Sequence, residues 1–162
     1  MTAATTLVRP APGPVETDEL VASVHEVMRS VLHRAHPTLE AEGISIGQFW
    51  ALHLVSSLRS ASVSTVARHL AVSAPTVCVN VDQLEAAGLV TRHRSERDRR
   101  AVELSLTAKG RRVEARVWAQ IGRLMAAAAR HLSSEDVATA VHVFRELNRE
   151  LDGTHAAPPG GA

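Results

Sequence analysis

The sequence predicts a mainly α-helical protein with one small β-wing, and three observations predict it. Residues 63–86 read as two short helices joined by a three-residue turn, the spacing of a helix-turn-helix. Two short segments with strand character, Leu89 to His93 and Ala101 to Leu106, follow at once and enclose an arginine-rich stretch. Long amphipathic helical patterns stand on both sides, over 17–42 and 108–152. A helix-turn-helix followed by a charged hairpin is a winged helix-turn-helix, assigned here to residues 44–107 and flanked by helices suited to dimerisation.

Taken in order, residues 1–15 mix Ala, Thr and three prolines and read as a disordered arm. Helical spacing begins at Glu16, with Leu20, Val24, Val27, Val31 and Ala35 on one side. Thr17 is the expected N-cap, with Asp18 and Glu19 favouring the dipole in the first turn. Pro37 is expected to break or kink this helix near its end. Ser45 and Gln48 have the spacing of a capping box, and Phe49, Leu52, Val55 and Leu58 carry the apolar face of the second helix.

The helix-turn-helix comes next. Val66, Ala67 and Leu70 line its first helix, and Ala71, Val72 and Ser73 form the turn. Ser73 suits the N-cap of the second helix and Pro75 its first turn. Val77, Val81 and Leu84 give that helix a buried stripe, while Thr76, Val79 and Gln83 lie on the other face. Gly88 suits a left-handed helix end. In the second strand Val102, Leu104 and Leu106 alternate. Thr107 is placed to cap a helix from Ala108 to about His131, roughly 36 Å long. Ser133 to Asp136 starts a last helix, with Val137, Val141, Phe144, Leu147 and Leu151 in line. Residues 153–162, with two prolines and three glycines, read as a disordered tail.

Composition narrows the function. Apolar residues make up 45% of the chain, enough for a core. Phe49, Trp50, Trp118 and Phe144 are the only aromatics apart from histidine, too few for a platform that stacks single-stranded nucleic acid. The net charge is +1, yet residues 92–100 hold five arginines against Glu96 and Asp98. A local basic patch on a nearly neutral chain is how a compact duplex-DNA footprint looks. A lone cysteine excludes an intrachain disulfide, and no apolar run approaches a membrane span; a soluble protein of a reducing cytoplasm is expected.

The residues Leu84-Glu85-Ala86-Ala87-Gly88-Leu89-Val90, then Arg94, Asp98-Arg99-Arg100 and Leu106-Thr107-Ala108-Lys109-Gly110 stand in a specific order and spacing. In these the chain resembles the MarR family of bacterial transcription regulators. The resemblance covers roughly residues 17–152, with the diagnostic residues in the central third. It implies that the terminal helices interlock as a symmetric homodimer, which would also cover apolar faces left wet on one subunit; helices folding back within one chain are the alternative. It further implies a repressor rather than an activator. A small aromatic or phenolic effector would be held between the dimer helices and the DNA-binding lobe, releasing the DNA.

A twofold dimer expects a near-palindromic operator with half-sites about one duplex turn apart. The recognition-helix residues placed at the major groove are Ser73, Pro75, Thr76, Val79, Asn80 and Gln83. Asn and Gln can bind adenine in bidentate fashion, and Thr and Val can touch thymine methyls, so an AT-leaning site is expected. Many relatives carry Arg near Val79, and this chain does not. Asn80 stands equally well half-buried beside Val77 and Val81. In the wing, Arg100 would enter the minor groove, oriented by the family's Asp-x-Arg spacing from Asp98. Arg92, Arg94, Arg97 and Arg99 are candidates for phosphate contact. The competing reading of the arginine run is a solvated loop.

Effector candidates are His33, His36, Trp50 and His53, with core packing as the plainer role for Trp50. Cys78 could serve a redox switch in the recognition helix, but its place beside the apolar stripe favours a small half-buried residue. His33 and His36 sit three apart, yet no Cys or carboxylate set completes a metal site, and no cofactor is called for. There is no nucleophile elbow, phosphate-binding glycine loop or zinc-protease His pair, so an enzyme is not expected. The alternatives to a sequence-specific repressor are a redox-switched repressor acting through Cys78, a non-specific architectural DNA binder, and a winged-helix protein–protein module.

Overall fold

The computed structural model describes residues 13–95 and 101–154. The elements run α1 (Pro14–Ala41), α2 (Ile46–Ser57), α3 (Val63–Leu70), α4 (Ala74–Ala86), β1 (Val90–Arg94), β2 (Val102–Leu106), α5 (Ala108–Ala129) and α6 (Ser134–Thr154). They form two compact units that divide inside α5, between Gly122 and Arg123. No helix among the described residues is long and apolar enough to cross a membrane.

Local sequence rules account for most helix ends. Ser45 and Gln48 form the expected capping box: the Ser45 hydroxyl accepts from the Gln48 N–H, and the Gln48 side chain accepts from the Ser45 N–H. Gly88 adopts φ +69°, with its N–H donating to Glu85 O and the Leu89 N–H to Leu84 O. These two bonds close α4 in a Schellman motif. Thr107 caps α5, accepting from the Gly110 N–H at 2.9 Å while donating to Gly88 O at 2.7 Å. Lys109 Nζ adds a bond of 2.9 Å to Ala87 O. The Thr107–Gly110 stretch thus fastens the start of α5 to the end of α4. In α6, Ser133 and Asp136 cap each other reciprocally.

Three helix-end expectations change. Thr17 is not the N-cap of α1: the cap is Gly13 and Pro14 opens the helix, so Thr17 lies in the first turn and donates its hydroxyl to Gly13 O at 2.9 Å. Proline fits there because the first-turn N–H has no helical partner. Pro37 does not end α1, which continues to Ala41; Pro37 is exposed and falls in the helix's closing turns, where it removes one bond. Helix α6 runs through Gly153 to Thr154, past the expected start of the tail.

The hairpin pairs Val90 with Leu106 and Arg94 with Val102 in an antiparallel register. Leu104 also bridges to Ala61 before α3, its N–H donating to Ala61 O at 2.7 Å. The core of the first unit is built from Phe49 and Leu52 of α2, Val66 of α3, Val77, Val81 and Leu84 of α4, and Leu89 and Val90. Val113 and Val117 of α5 close it. At about 25 cal/mol per Å² of apolar area removed from water, this cluster fixes the angle between α3 and α4.

Candidate nucleic-acid interface

The turn between α3 and α4 is tight because Ala71 takes the left-handed conformation, φ 52° and ψ 38°. Its N–H donates to Arg68 O and that of Val72 to Ala67 O. The chain is thereby reversed within three residues, and Ser73 starts α4 by accepting from the Thr76 N–H at 3.4 Å. Burial of Val77, Val81 and Leu84 then dictates which face of α4 stays outside. Ser73, Pro75, Thr76, Val79 and Gln83 are exposed on it.

Asn80 is half-buried, its Nδ2 lying 3.6 Å from where a Cβ on Gly47 would be. It therefore packs against the start of α2, in line with the second of its two readings. Gln83 is also tied to that helix: Gln48 Nε2 donates to Gln83 Oε1 at 2.7 Å.

Arg92 is engaged where an outward phosphate ligand was expected. Its Nη2 lies 2.6 Å from Asp82 Oδ1, and its Nη1 pairs with Glu85 Oε2. The hydrogen bond it donates to Asp82 is the main reason its guanidinium is held even more firmly protonated than usual. Arg92 therefore staples β1 to α4. Arg94 is exposed on the same strand. The hairpin closes at its outer end where the Ser95 N–H donates to Ala101 O at 2.9 Å. Arg97, Asp98, Arg99 and Arg100 lie outside the described residues.

Of the effector candidates, His33 and His36 are exposed on α1, and His36 Nε2 lies 3.3 Å from Glu40. Trp50 and His53 belong to a cluster with two aromatics that the sequence reading did not pair with them. Phe49 is fully buried, Trp50 sits 5.2 Å from it, and His53 stacks on Trp118 at 4.2 Å. His53 Nδ1 lies 2.9 Å from Glu114 Oε1, one helical turn before Trp118. Trp50 packs against the core, which matches its plainer role. Trp118 and Glu114 carry no local signal, since only folding brings α5 to α2.

Cys78 is exposed, against the expectation of a half-buried residue; the buried stripe of α4 is confined to Val77, Val81 and Leu84. Among the described residues no group of three or more His, Cys, Asp or Glu is arranged to hold a metal.

A short helix presented by a three-residue turn beside a two-stranded hairpin defines a winged helix-turn-helix protein. Residues 42–101 match the MarR family. The chain is 26% identical over 134 residues to the HTH-type transcriptional repressor MdtR of Bacillus subtilis strain 168, covering 80% of this chain and 86% of that protein. A MarR family protein from Bacillus stearothermophilus superposes with a TM-score of 0.76 at 24% identity, over 88% of this chain and 99% of that one. The Staphylococcus aureus MarR in complex with salicylate and kanamycin gives 0.76 at 22% identity, over 89% and 96%. The winged helix-turn-helix region of this chain, residues 42–101, is thus similar to that of the MarR family of transcription regulators.

Proposed function

We propose that the protein is a dimeric, sequence-specific repressor that binds a near-palindromic operator and leaves it when a small aromatic effector binds. The observation that carries the reading is α4. Its inner stripe of Val77, Val81 and Leu84 is buried, so Ser73, Pro75, Thr76, Val79 and Gln83 stand together on a face that fits the major groove. Arg94 is exposed on β1, and Arg97, Arg99 and Arg100 follow it in sequence as the candidates to meet phosphate and the minor groove. The name of the B. subtilis relative, a transcriptional repressor, supports the sign of regulation.

A homodimer is supported by the apolar side chains that single units leave in water. Val21, Val27 and Met28 of α1 and Val137, Val141, Phe144 and Leu151 of α6 are all exposed. Covering them in a twofold interface recovers the transfer energy that one subunit forgoes. Effector release is supported by the salicylate-bound S. aureus relative and by the Trp50–His53–Trp118 cluster joining α2 to α5.

The test is a fluorescence-anisotropy titration of the protein against the duplex upstream of its own gene and a scrambled duplex, across a salt series. Tight binding to the native duplex alone, weakening steeply with salt, is expected. Equal weak binding to both would favour an architectural or protein-partner role. Sedimentation as a monomer at micromolar concentration would refute the dimer.

A further inference from the structure

The amide of Gln83 is held by a chain of hydrogen bonds whose polarity is set from outside the recognition helix. The chain starts at the backbone N–H of Ser45, which can only donate. It gives its proton to Gln48 Oε1 at 2.8 Å. Gln48 must then present its NH2 group on its other side, and that group meets Gln83 at 2.7 Å. An NH2 group needs an acceptor, so Gln83 turns its Oε1 toward Gln48. Its own NH2 group has no protein partner among the described residues.

We propose that Gln48, which lies on α2, is a specificity-positioning residue: it locks Gln83 as a hydrogen-bond donor toward the base edges that α4 meets. The inference rests on the DNA-binding reading above and deepens it. A free Gln can bind adenine with both amide groups, using its oxygen for N6 and its nitrogen for N7. With the oxygen turned toward Gln48, Gln83 presents its NH2 group and is left to read acceptors: thymine O4, a purine N7 or guanine O6. Cytosine offers only an N4 amino donor in the major groove and is the base this arrangement rejects.

Replacing Gln48 with Glu makes the test sharp. A glutamate in this third helical position still accepts from the Ser45 N–H, so the capping box and the fold are kept. Its second carboxylate oxygen, however, faces Gln83 as an acceptor. Gln83 must then swing its NH2 group inward and its oxygen outward, which inverts what it reads. The experiment selects bound molecules from a duplex pool with a randomised core, using full-length wild type, Q48E, Q48A and Q83A, each shown to be folded by thermal melting.

Wild type is expected to disfavour cytosine about tenfold at one position in each half-site, a discrimination typical of one base-edge contact. Q83A and Q48A lose that preference, and Q48E turns it in favour of cytosine or of an adenine N6 amino group. The added charge of Q48E weakens binding to all duplexes alike, so the readout is the base preference rather than the affinity. If Q48E and Q48A select the same bases as wild type while Q83A does not, Gln48 plays no positioning role. If Q83A also selects as wild type does, Gln83 reads no base, and the proposal fails there. If wild type enriches no sequence, the sequence-specific reading itself fails and this inference goes with it.

Discussion

Arg92 on β1 and Asp82 on the recognition helix are joined by a 2.6 Å ion pair, with Glu85 completing the clasp from one turn further along. A guanidinium next to the expected DNA surface is therefore spent on its own protein. On the DNA-binding reading proposed above, its role there is to mask two carboxylates that would otherwise repel phosphate.

Arg92→Ala should consequently weaken duplex binding more than it weakens the fold. The pair is partly exposed, Asp82 by 59%, so a double-mutant cycle in urea should give a coupling below about 1 kcal/mol. The anisotropy titration at low salt should show a much larger loss, and adding Asp82→Asn should restore part of it. A loss of affinity that Asp82→Asn leaves unrelieved would rule out carboxylate masking.

Ala71 holds the turn of the helix-turn-helix at φ 52°, where a Cβ is crowded. Ala71→Gly should raise stability by about 0.5–1 kcal/mol, since relief of left-handed strain outweighs the greater freedom of the unfolded chain. Ala71→Val should lower it by about 1–3 kcal/mol. Urea denaturation of the two variants checks both signs.

What the sequence made legible follows from how locally each feature is determined. The capping box at Ser45, the N-cap at Ser73, the left-handed Gly88 and the stripe of Val77, Val81 and Leu84 each depend on residues within one or two turns. The partners of Arg92, His53 and Gln83 lie 10, 61 and 35 residues away in sequence, and no spacing rule reaches that far. Thr17 and Pro14 are a different case: both are good helix starters, and the sequence alone does not rank them. Cys78 is exposed although it lies next to the stripe on a helical wheel, because a wheel gives direction but not the width of the covered strip.

Gly110 shows why a small residue stands at the close of the Thr107–Gly110 stretch. A Cβ added there would lie 2.0 Å from the backbone oxygen of Leu89, which can retreat only by opening the junction between α4, β1 and α5. Gly110→Ala should therefore destabilise the protein by about 2 kcal/mol or more, despite alanine's better helix propensity. Thermal melting checks this, and an unchanged or raised midpoint would mean that α5 docks differently.

Glu42, at the end of α1, receives two hydrogen bonds from Arg116 of α5, at 2.5 and 2.6 Å. Those bonds hold its carboxyl below the ordinary value of 4.5, against the opposing effect of burial. A carboxylate with a lowered pKa in the folded state adds stability above its unfolded value and loses it as pH falls through the lowered one. Wild type should thus be more stable than Glu42→Gln at neutral pH, and the difference should be smaller in acid, as pH falls below the ordinary value of 4.5. Urea titrations at the two pH values measure it.

Cys78 offers a probe of α4 that does not require knowing the operator. Its thiol is exposed, and it stands directly between buried Val77 and exposed Val79. In a major groove about 12 Å wide, a helix has no room for a large adduct at this position. Alkylation by a maleimide should abolish duplex binding in wild type and leave Cys78→Ser unaffected. Bound duplex should in turn protect the thiol from the reagent. The same pair of proteins tests the redox alternative: if peroxide reduces DNA binding equally in wild type and Cys78→Ser, the thiol is no switch. An alkylated protein that still binds duplex with undiminished affinity would place the groove-facing surface elsewhere than on α4.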